Sequence, residues 1–159
     1  MIVAMIYLDH HACAPLAPGV REAMTDALDQ GWANPSSVHG AGQRSRQILE
    51  RGRAAVADAV GAHPGDLVFT SGGTEACNLA LLGCLPPSGG AVLCSPLEHP
   101  AVQAAVAELG RGGVQRRDLA LVNGRAPDAR EFEKQLGKNL SGVCIQWVNH
   151  ENGMIFPVH

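Results

Sequence analysis

The chain has 159 residues, enough for one domain with a real core, and 46% of them are apolar, which fits a soluble globular protein. A formal net charge of −3 gives no general reason to expect nucleic acid or an anionic membrane as partner, and 4% aromatics leave base stacking unsupported. The start, Met1 to Leu8, is apolar but lacks a basic flank and runs straight into Asp9-His10-His11, too short for a signal peptide or a membrane span.

From Pro18 to Gln30, the spacing of Val20, Ala23, Met24, Ala27 and Leu28 predicts an amphipathic helix closed by Gly31. Ser37 can cap a longer helix that runs, with interruptions, through Ile48, Leu49, Ala55, Val56, Ala59 and Val60 to Gly61. The elements then alternate. A strand is expected at Leu67–Thr70, a helix from about Thr74 to Leu85, a strand at Ala91–Cys94 and a helix from Pro100 to Leu109. A strand near Val114–Leu119, a short helix at Ala129–Leu136 and a buried strand at Val143–Val148 complete the series. Such alternation means an α/β fold with a mostly parallel sheet and helices on both faces. Pro86-Pro87-Ser88-Gly89-Gly90 reads as an exposed loop and not as a linker between domains. The sequence ends at Phe156-Pro157-Val158-His159, just past the last predicted strand and with no predicted helix to cover it, so an apolar face and a sheet edge are expected to be covered by something else.

The five cysteines (Cys13, Cys77, Cys84, Cys94, Cys144) show no Cys-x-x-Cys spacing and an odd count, which favours reduced thiols in a cytoplasmic protein over a disulfide framework and marks no metal site. Core packing is the expected role of Cys77, Cys84, Cys94 and Cys144.

The most informative stretch is Phe69-Thr70-Ser71-Gly72-Gly73-Thr74-Glu75-Ala76-Cys77-Asn78. A strand that turns through glycines into a helix aims free backbone N–H groups and the positive end of a helix dipole at one point, an arrangement that binds phosphate. Gly72 and Gly73 let an anion approach the main chain, and the Thr74 hydroxyl can donate one more hydrogen bond. The alternative is a simple turn in which Ser71 or Thr74 only caps the helix. No Gly-Lys-Ser/Thr follows, so this is not a Walker loop.

Four segments, in order, resemble the N-terminal half of the cysteine desulfurases, in the class V aminotransferase group of fold-type I pyridoxal-phosphate enzymes. They are Tyr7-Leu8-Asp9-His10-His11-Ala12-Cys13-Ala14-Pro15, Asn34-Pro35-Ser36-Ser37-Val38-His39, the stretch from Phe69 to Asn78, and Glu98-His99-Pro100-Ala101-Val102. A fifth, Val148-Asn149-His150-Glu151-Asn152-Gly153, resembles the family's Val-Asn-Asn-Glu-x-Gly. The resemblance implies the N-terminal part of the fold-type I large domain over residues 18–159, incomplete here, preceded by a segment near the active-site mouth over residues 1–17. It implies pyridoxal 5′-phosphate as cofactor, with Gly73 and Thr74 at its phosphate and His99 stacked on the pyridine ring to assist proton transfers. Read from the residues alone, His99 can equally be a structural or surface histidine, although Pro100 disfavours helix at His99 and starts one behind it, projecting the imidazole from a strand-to-helix corner.

His150 stands where the family motif has its second Asn, which contacts the phenolic oxygen of the cofactor, so the resemblance implies that contact for His150, helped by Asn149. Cys13-Ala14 stands where the family commonly has Thr-Thr, and Cys13 is a candidate reactive thiol. Asn34, Ser36 and His39 resemble a family loop near the site, with a structural turn as the expected role of each. By the same resemblance, the Schiff-base lysine, the aspartate paired with the pyridine nitrogen, the substrate-carboxylate arginine and the nucleophilic cysteine belong to a portion beyond His159. The lysines of this chain, Lys134 and Lys138, lack that motif.

The implied activity is sulfur mobilisation from L-cysteine, giving L-alanine and an enzyme persulfide, once this chain combines with a complementary C-terminal half. A dimer of the assembled unit and a sulfur-acceptor protein are further implied partners, with no nucleic acid and no membrane. An inactive scaffold subunit, and selenocysteine lyase or another β-elimination, are the alternatives.

Overall fold

The computed structural model describes residues 6–10, 12–86 and 88–158. Met1–Met5 of the apolar start, His11 of the first family-like segment, Pro87 of the predicted loop and His159 lie outside the described residues. The chain divides into two compact units, residues 1–69 and 70–159.

The first unit holds two helices, α1 (Val20–Gln30) and α2 (Gly40–Val60), and a short 3-10 helix at Pro64–Asp66. Helix α1 begins after Gly19, whose φ of 80° suits glycine, and so starts two residues later than the Pro18 expected. Helix α2 is capped by His39 and not by Ser37, because the His39 Nδ1 accepts the Gly42 N–H at 3.2 Å. Ser37 is engaged elsewhere: its N–H donates to the Asn34 carbonyl at 3.0 Å, while the Ser36 N–H donates to Asn34 Oδ1 at 2.9 Å. This turn presses on Gly42, where a Cβ would lie 2.6 Å from the Ser37 carbonyl oxygen.

The strand expected at Leu67–Thr70 does not form. Leu67 is extended (φ −93°, ψ 134°), but no neighbouring strand among the described residues gives the segment a ladder. Its polar main chain is served by a side chain instead, for an Arg53 guanidinium nitrogen donates to the Leu67 carbonyl at 2.8 Å and the same guanidinium lies 4.9 Å from the Phe69 ring centroid.

The second unit is a three-stranded parallel sheet of order β2-β1-β3, formed by β1 (Ala91–Cys94), β2 (Gln115–Asp118) and β3 (Leu140–Cys144). Three helices accompany it: α3 (Gly73–Cys84), α4 (Pro100–Arg111) and α5 (Ala129–Gln135). The central strand is an unbroken apolar run, buried along its whole length, as a parallel strand covered on both faces must be. On one face Val92, Cys94, Cys144, Val106, Leu109 and Val114 form a core against Leu81 of α3, Leu85 just after it and Val102 of α4. On the other, Leu93, Leu119 and Phe156 pack with Phe132 of α5 and Ile145. Each fully buried aliphatic side chain here stabilises the fold by roughly 1.5–3 kcal/mol. The α/β architecture read from the alternating pattern is therefore borne out.

Glycine is required at two places in this unit. Gly142 lets α3 approach β3, since a Cβ there would meet Leu85 Cδ2 at 2.6 Å. Gly90 has φ 72° and faces Ser141, the residue left over at the register shift between Ala91 and Val92.

Strand β3 lies earlier and is less buried than the Val143–Val148 expected, with Val143 itself 44% exposed. After Cys144 the chain leaves the ladder: the Trp147 carbonyl accepts the Phe156 N–H at 2.9 Å and Val148 bridges Ile155 in antiparallel sense. Folding back tucks Phe156 into the second core and leaves the outer edge of β3 without a strand among the described residues.

Candidate functional site

Strands β1 and β3 run parallel and end together, Cys94 opposite Cys144. Helix α3 runs the other way. Leu85, just past its C-terminus, lies against Gly142 within β3, while Cys77, two turns earlier, is near enough to Cys144 at the strand's end to add, after burial and Glu98, to the raising of that thiol's pKa. The N-terminus of α3 therefore opens at the carboxyl edge of the sheet, where open α/β sheets bind ligands.

Gly72, Gly73 and Thr74 form that opening. Gly72 is fully extended and precedes the first helical residue, Gly73. A Cβ added to either glycine would meet nothing within 4 Å, so an anion can reach the main chain. The first amides of the helix have no intrahelical acceptor, and no other acceptor among the described residues takes them. The Ser71 N–H and hydroxyl both turn to Glu75 Oε2, at 2.7 and 2.6 Å. The hydroxyl first, and then the N–H, hold the Glu75 carboxyl below the usual carboxylate range. Thus Glu75 braces the residue before the turn and leaves the Gly72–Thr74 amides, with the positive end of the α3 dipole behind them, facing outward.

The corner after β1 is built from Ser95 to His99. The Ser95 N–H donates to the Cys144 carbonyl at 3.0 Å, and its Oγ accepts the Leu97 N–H at 3.2 Å. His99 then caps α4, with Pro100 in the first helical position. The His99 Nδ1 accepts the Ala101 N–H at 3.1 Å. A nitrogen that accepts carries no proton, so neutral His99 is the Nε2–H tautomer and presents a donor outward.

His150 is brought to the same corner, its ring centroid 5.3 Å from that of His99 and inclined at 55°. Asn149 beside it is buried at 3% exposure, and its Oδ1 accepts the Glu151 and Asn152 amides, both at 2.9 Å, while its Nδ2 donates to the Leu97 carbonyl at 3.0 Å. Its side chain is committed to shaping the loop that carries His150.

Two residues that sequence reasoning left without a role complete the corner. Glu98 is buried at 9% exposure, and its Oε1 accepts the Gln146 N–H at 2.6 Å. Burial pushes its carboxyl up, against the pull of that N–H and of His150 and His99. Gln146 donates its amide nitrogen to the Leu97 carbonyl and turns its Oε1 toward His150 Nδ1 at 3.3 Å. The one available signal was a carboxylate immediately before His-Pro at a strand end.

Other candidates have structural surroundings. Asn34, Ser36 and His39 belong to the first unit, where each has the local partner described above. Burial, and then the neighbouring thiol, push Cys94 up to about 12, and burial pushes Cys144 to about 11, so both are core thiols as expected. Cys77 is half-buried, and Cys84 is exposed at the end of α3, against the core role expected for it. Cys13 is exposed. Lys134 pairs with Glu131 on α5, and no helix of the described residues is long and apolar enough to cross a membrane.

Residues 6–159 match the family described as aminotransferase class-V. The chain is 38% identical over 162 residues to a cysteine desulfurase of Frankia sp. (strain EuIK1), covering 95% of this chain and 39% of that protein. It is 35% identical over 156 residues to the cysteine desulfurase IscS of Dictyoglomus turgidum, covering 96% of this chain and 40% of the relative. Among solved structures it resembles SspA in complex with cysteine (TM-score 0.83, 30% identity, 95% of this chain and 44% of that one). It also resembles DndA from Streptomyces lividans (TM-score 0.78, 31% identity, 96% and 44%). The chain thus spans about two fifths of the length of the curated relatives it matches.

Proposed function

The chain belongs to the aminotransferase class-V family, and from that premise we propose that it forms the cofactor-cradling portion of a pyridoxal-phosphate-dependent cysteine desulfurase. The observation that carries this reading is a convergence. The outward-facing amides of Gly72–Thr74 and the His99–His150 pair stand at one edge of one parallel sheet. The open space at Gly72 and Gly73 fits a phosphate, and the exposed His99 imidazole fits the face of a flat aromatic ring.

In this reading Gly73 and Thr74 hold the phosphate through backbone N–H groups and the Thr74 hydroxyl. His99 lies on the ring and holds or passes a proton at Nε2, the nitrogen its cap bond leaves available. His150 meets the phenolic oxygen, and Asn149 holds the loop that places it. When bound, pyridoxal phosphate supplies an electron sink for the substrate carbon that loses its proton. L-cysteine is the proposed substrate, and L-alanine and a persulfide are the proposed products.

The lysine and the thiol nucleophile of such a reaction are proposed to come from a complementary portion of the fold. Lys134 is on α5, paired with Glu131, and Lys138 precedes β3 at the opposite edge of the sheet. The unladdered edge of β3, with Leu136, Val143 and Val158 exposed beside it, suits docking of that portion. A dimer of the assembled unit and a sulfur-acceptor protein belong to the same proposal.

The test is co-expression of this chain with a polypeptide matching the remaining three fifths of its relatives, scored by the visible absorbance of bound cofactor and by alanine release from L-cysteine. Cofactor loading with alanine release is expected. A complex that loads cofactor but releases no alanine would replace the enzyme by a scaffold, and one that loads none would end the reading.

A further inference from the structure

Gln146 faces two partners whose hydrogen-bonding sense leaves it no choice. The Leu97 carbonyl can only accept, so the Gln146 amide nitrogen must be the atom that faces it. The amide oxygen therefore faces His150 Nδ1, and an amide oxygen can only accept. The proton of neutral His150 must then sit on Nδ1. Gln146 is itself fixed from the other side, because Glu98 Oε1 holds its backbone N–H at 2.6 Å. The two histidines are thereby set in opposite tautomers, with a bare Nδ1 on His99 and a bare Nε2 on neutral His150.

We propose that Gln146 is a positioning residue that fixes His150 as its Nδ1–H tautomer, so that Nε2 accepts a hydrogen bond from a ligand when His150 is neutral and donates one only when His150 is protonated. Resting on the cofactor reading above, this gives the His150 contact a pH dependence that an amide lacks. An asparagine at this place donates at any pH, whereas His150 donates to a phenolate oxygen only as the imidazolium. The groups facing His150 are Glu98 and His99 from the β1–α4 corner and Glu151 from its own loop, the last with Oε1 3.5 Å from Nε2.

The first arm of the test needs no cofactor. Nitrogen-15 NMR of the histidine-labelled full chain, in the reconstituted complex above the histidine titration, should show Nδ1 protonated in His150 and Nε2 protonated in His99. Gln146→Met should release His150 to a mixture of tautomers and leave His99 unchanged, because the Ala101 bond to His99 is independent of Gln146. An Nε2–H form of His150 in the wild type overturns the proposal whether or not the variant folds, and so does an unchanged His150 in a folded variant.

The second arm titrates pyridoxal phosphate into the wild-type and His150→Asn complexes between about pH 6 and pH 8.5. Relative to the variant, the wild type should lose about tenfold in affinity across that range, the worth of one charge-assisted hydrogen bond. Parallel pH profiles overturn the ligand-facing part of the proposal. Absence of binding in both overturns the cofactor reading instead, while the tautomers still decide the role of Gln146.

Discussion

Glu98 and Gln146, 48 residues apart in the chain, are joined by a 2.6 Å bond from the Gln146 N–H to a buried carboxyl group. This bond pins the chain leaving β3 to the corner leaving β1, and it has a predictable pH signature. Burial raises the Glu98 carboxyl above its ordinary 4.5, so the folded state binds this proton more tightly than the unfolded state does. Stability from this group is therefore greatest at low pH and falls as pH rises from the ordinary carboxylate range through the raised value. Glu98→Gln removes the titration and keeps an oxygen for the Gln146 N–H. Urea midpoints of the complex at several pH values should show the wild type gaining on the variant as pH falls from about 7 to about 4.5. A difference that does not change with pH would show that Glu98 ionises freely.

Thr74→Ala should weaken cofactor retention by about 1–2 kcal/mol, since one hydrogen bond to a charged phosphate is lost while the backbone amides remain. The measurement is the pyridoxal phosphate dissociation constant of the reconstituted complex, and an unchanged constant would place the phosphate elsewhere.

Thiol reactivity should divide sharply. Cys94 and Cys144 are buried and pushed up to about 12 and about 11, whereas Cys13 and Cys84 are exposed. Brief alkylation of the native protein near pH 8, read by mass spectrometry, should label Cys13 and Cys84 and spare Cys94 and Cys144 until denaturant is added. Labelling of Cys94 under native conditions would mean that the β1–β3 core opens readily.

The parts of the structure legible in the sequence are those fixed by local chemistry. Pro100 announced both the start of α4 and the His99 corner, and Gly72-Gly73 announced the turn into α3. The apolar run Ala91–Cys94 marked the central strand. What escaped depends on residues far apart in the chain or on competition between near-equal local choices. Ser37 and His39 are both able to cap, and the turn at Asn34 takes Ser37 away. Leu67–Phe69 has the composition of a strand but finds no ladder. Beyond Cys144, β3 is diverted by Glu98 and Phe156, and neither can be read from the 143–148 segment alone. For the same reason Gln146 was invisible as part of the site, and Glu98 was marked only by its place before His99-Pro100.

Gly90 should tolerate no side chain. It has φ 72°, and a Cβ would collide with Ser141 Oγ. Gly90→Ala should cost about 1–2 kcal/mol for the left-handed backbone, plus whatever Ser141 loses by moving. Adding Ser141→Ala should recover the second part and not the first. Denaturant midpoints of the two variants in the complex measure both, and full recovery in the double variant would show that backbone strain contributes nothing here.

His99 separates a live enzyme from a cofactor-loaded scaffold. Its Nδ1 is held by the Ala101 N–H, the residue is exposed, and its ring stands beside that of His150. A residue so placed can both lie on an aromatic ring and move a proton at one defined atom, and loss of such a group lowers turnover by roughly 10²–10⁴-fold. His99→Ala should fall in that range. His99→Gln, which keeps a flat polar group but no titratable nitrogen, should retain cofactor better than it retains activity. The α4 cap is lost in His99→Ala, at about 1 kcal/mol, so cofactor occupancy and thermal stability must be measured beside alanine release from L-cysteine. Turnover that falls only as far as occupancy falls would make His99 a binding residue. Turnover that falls far beyond occupancy would make it the proton carrier of the site.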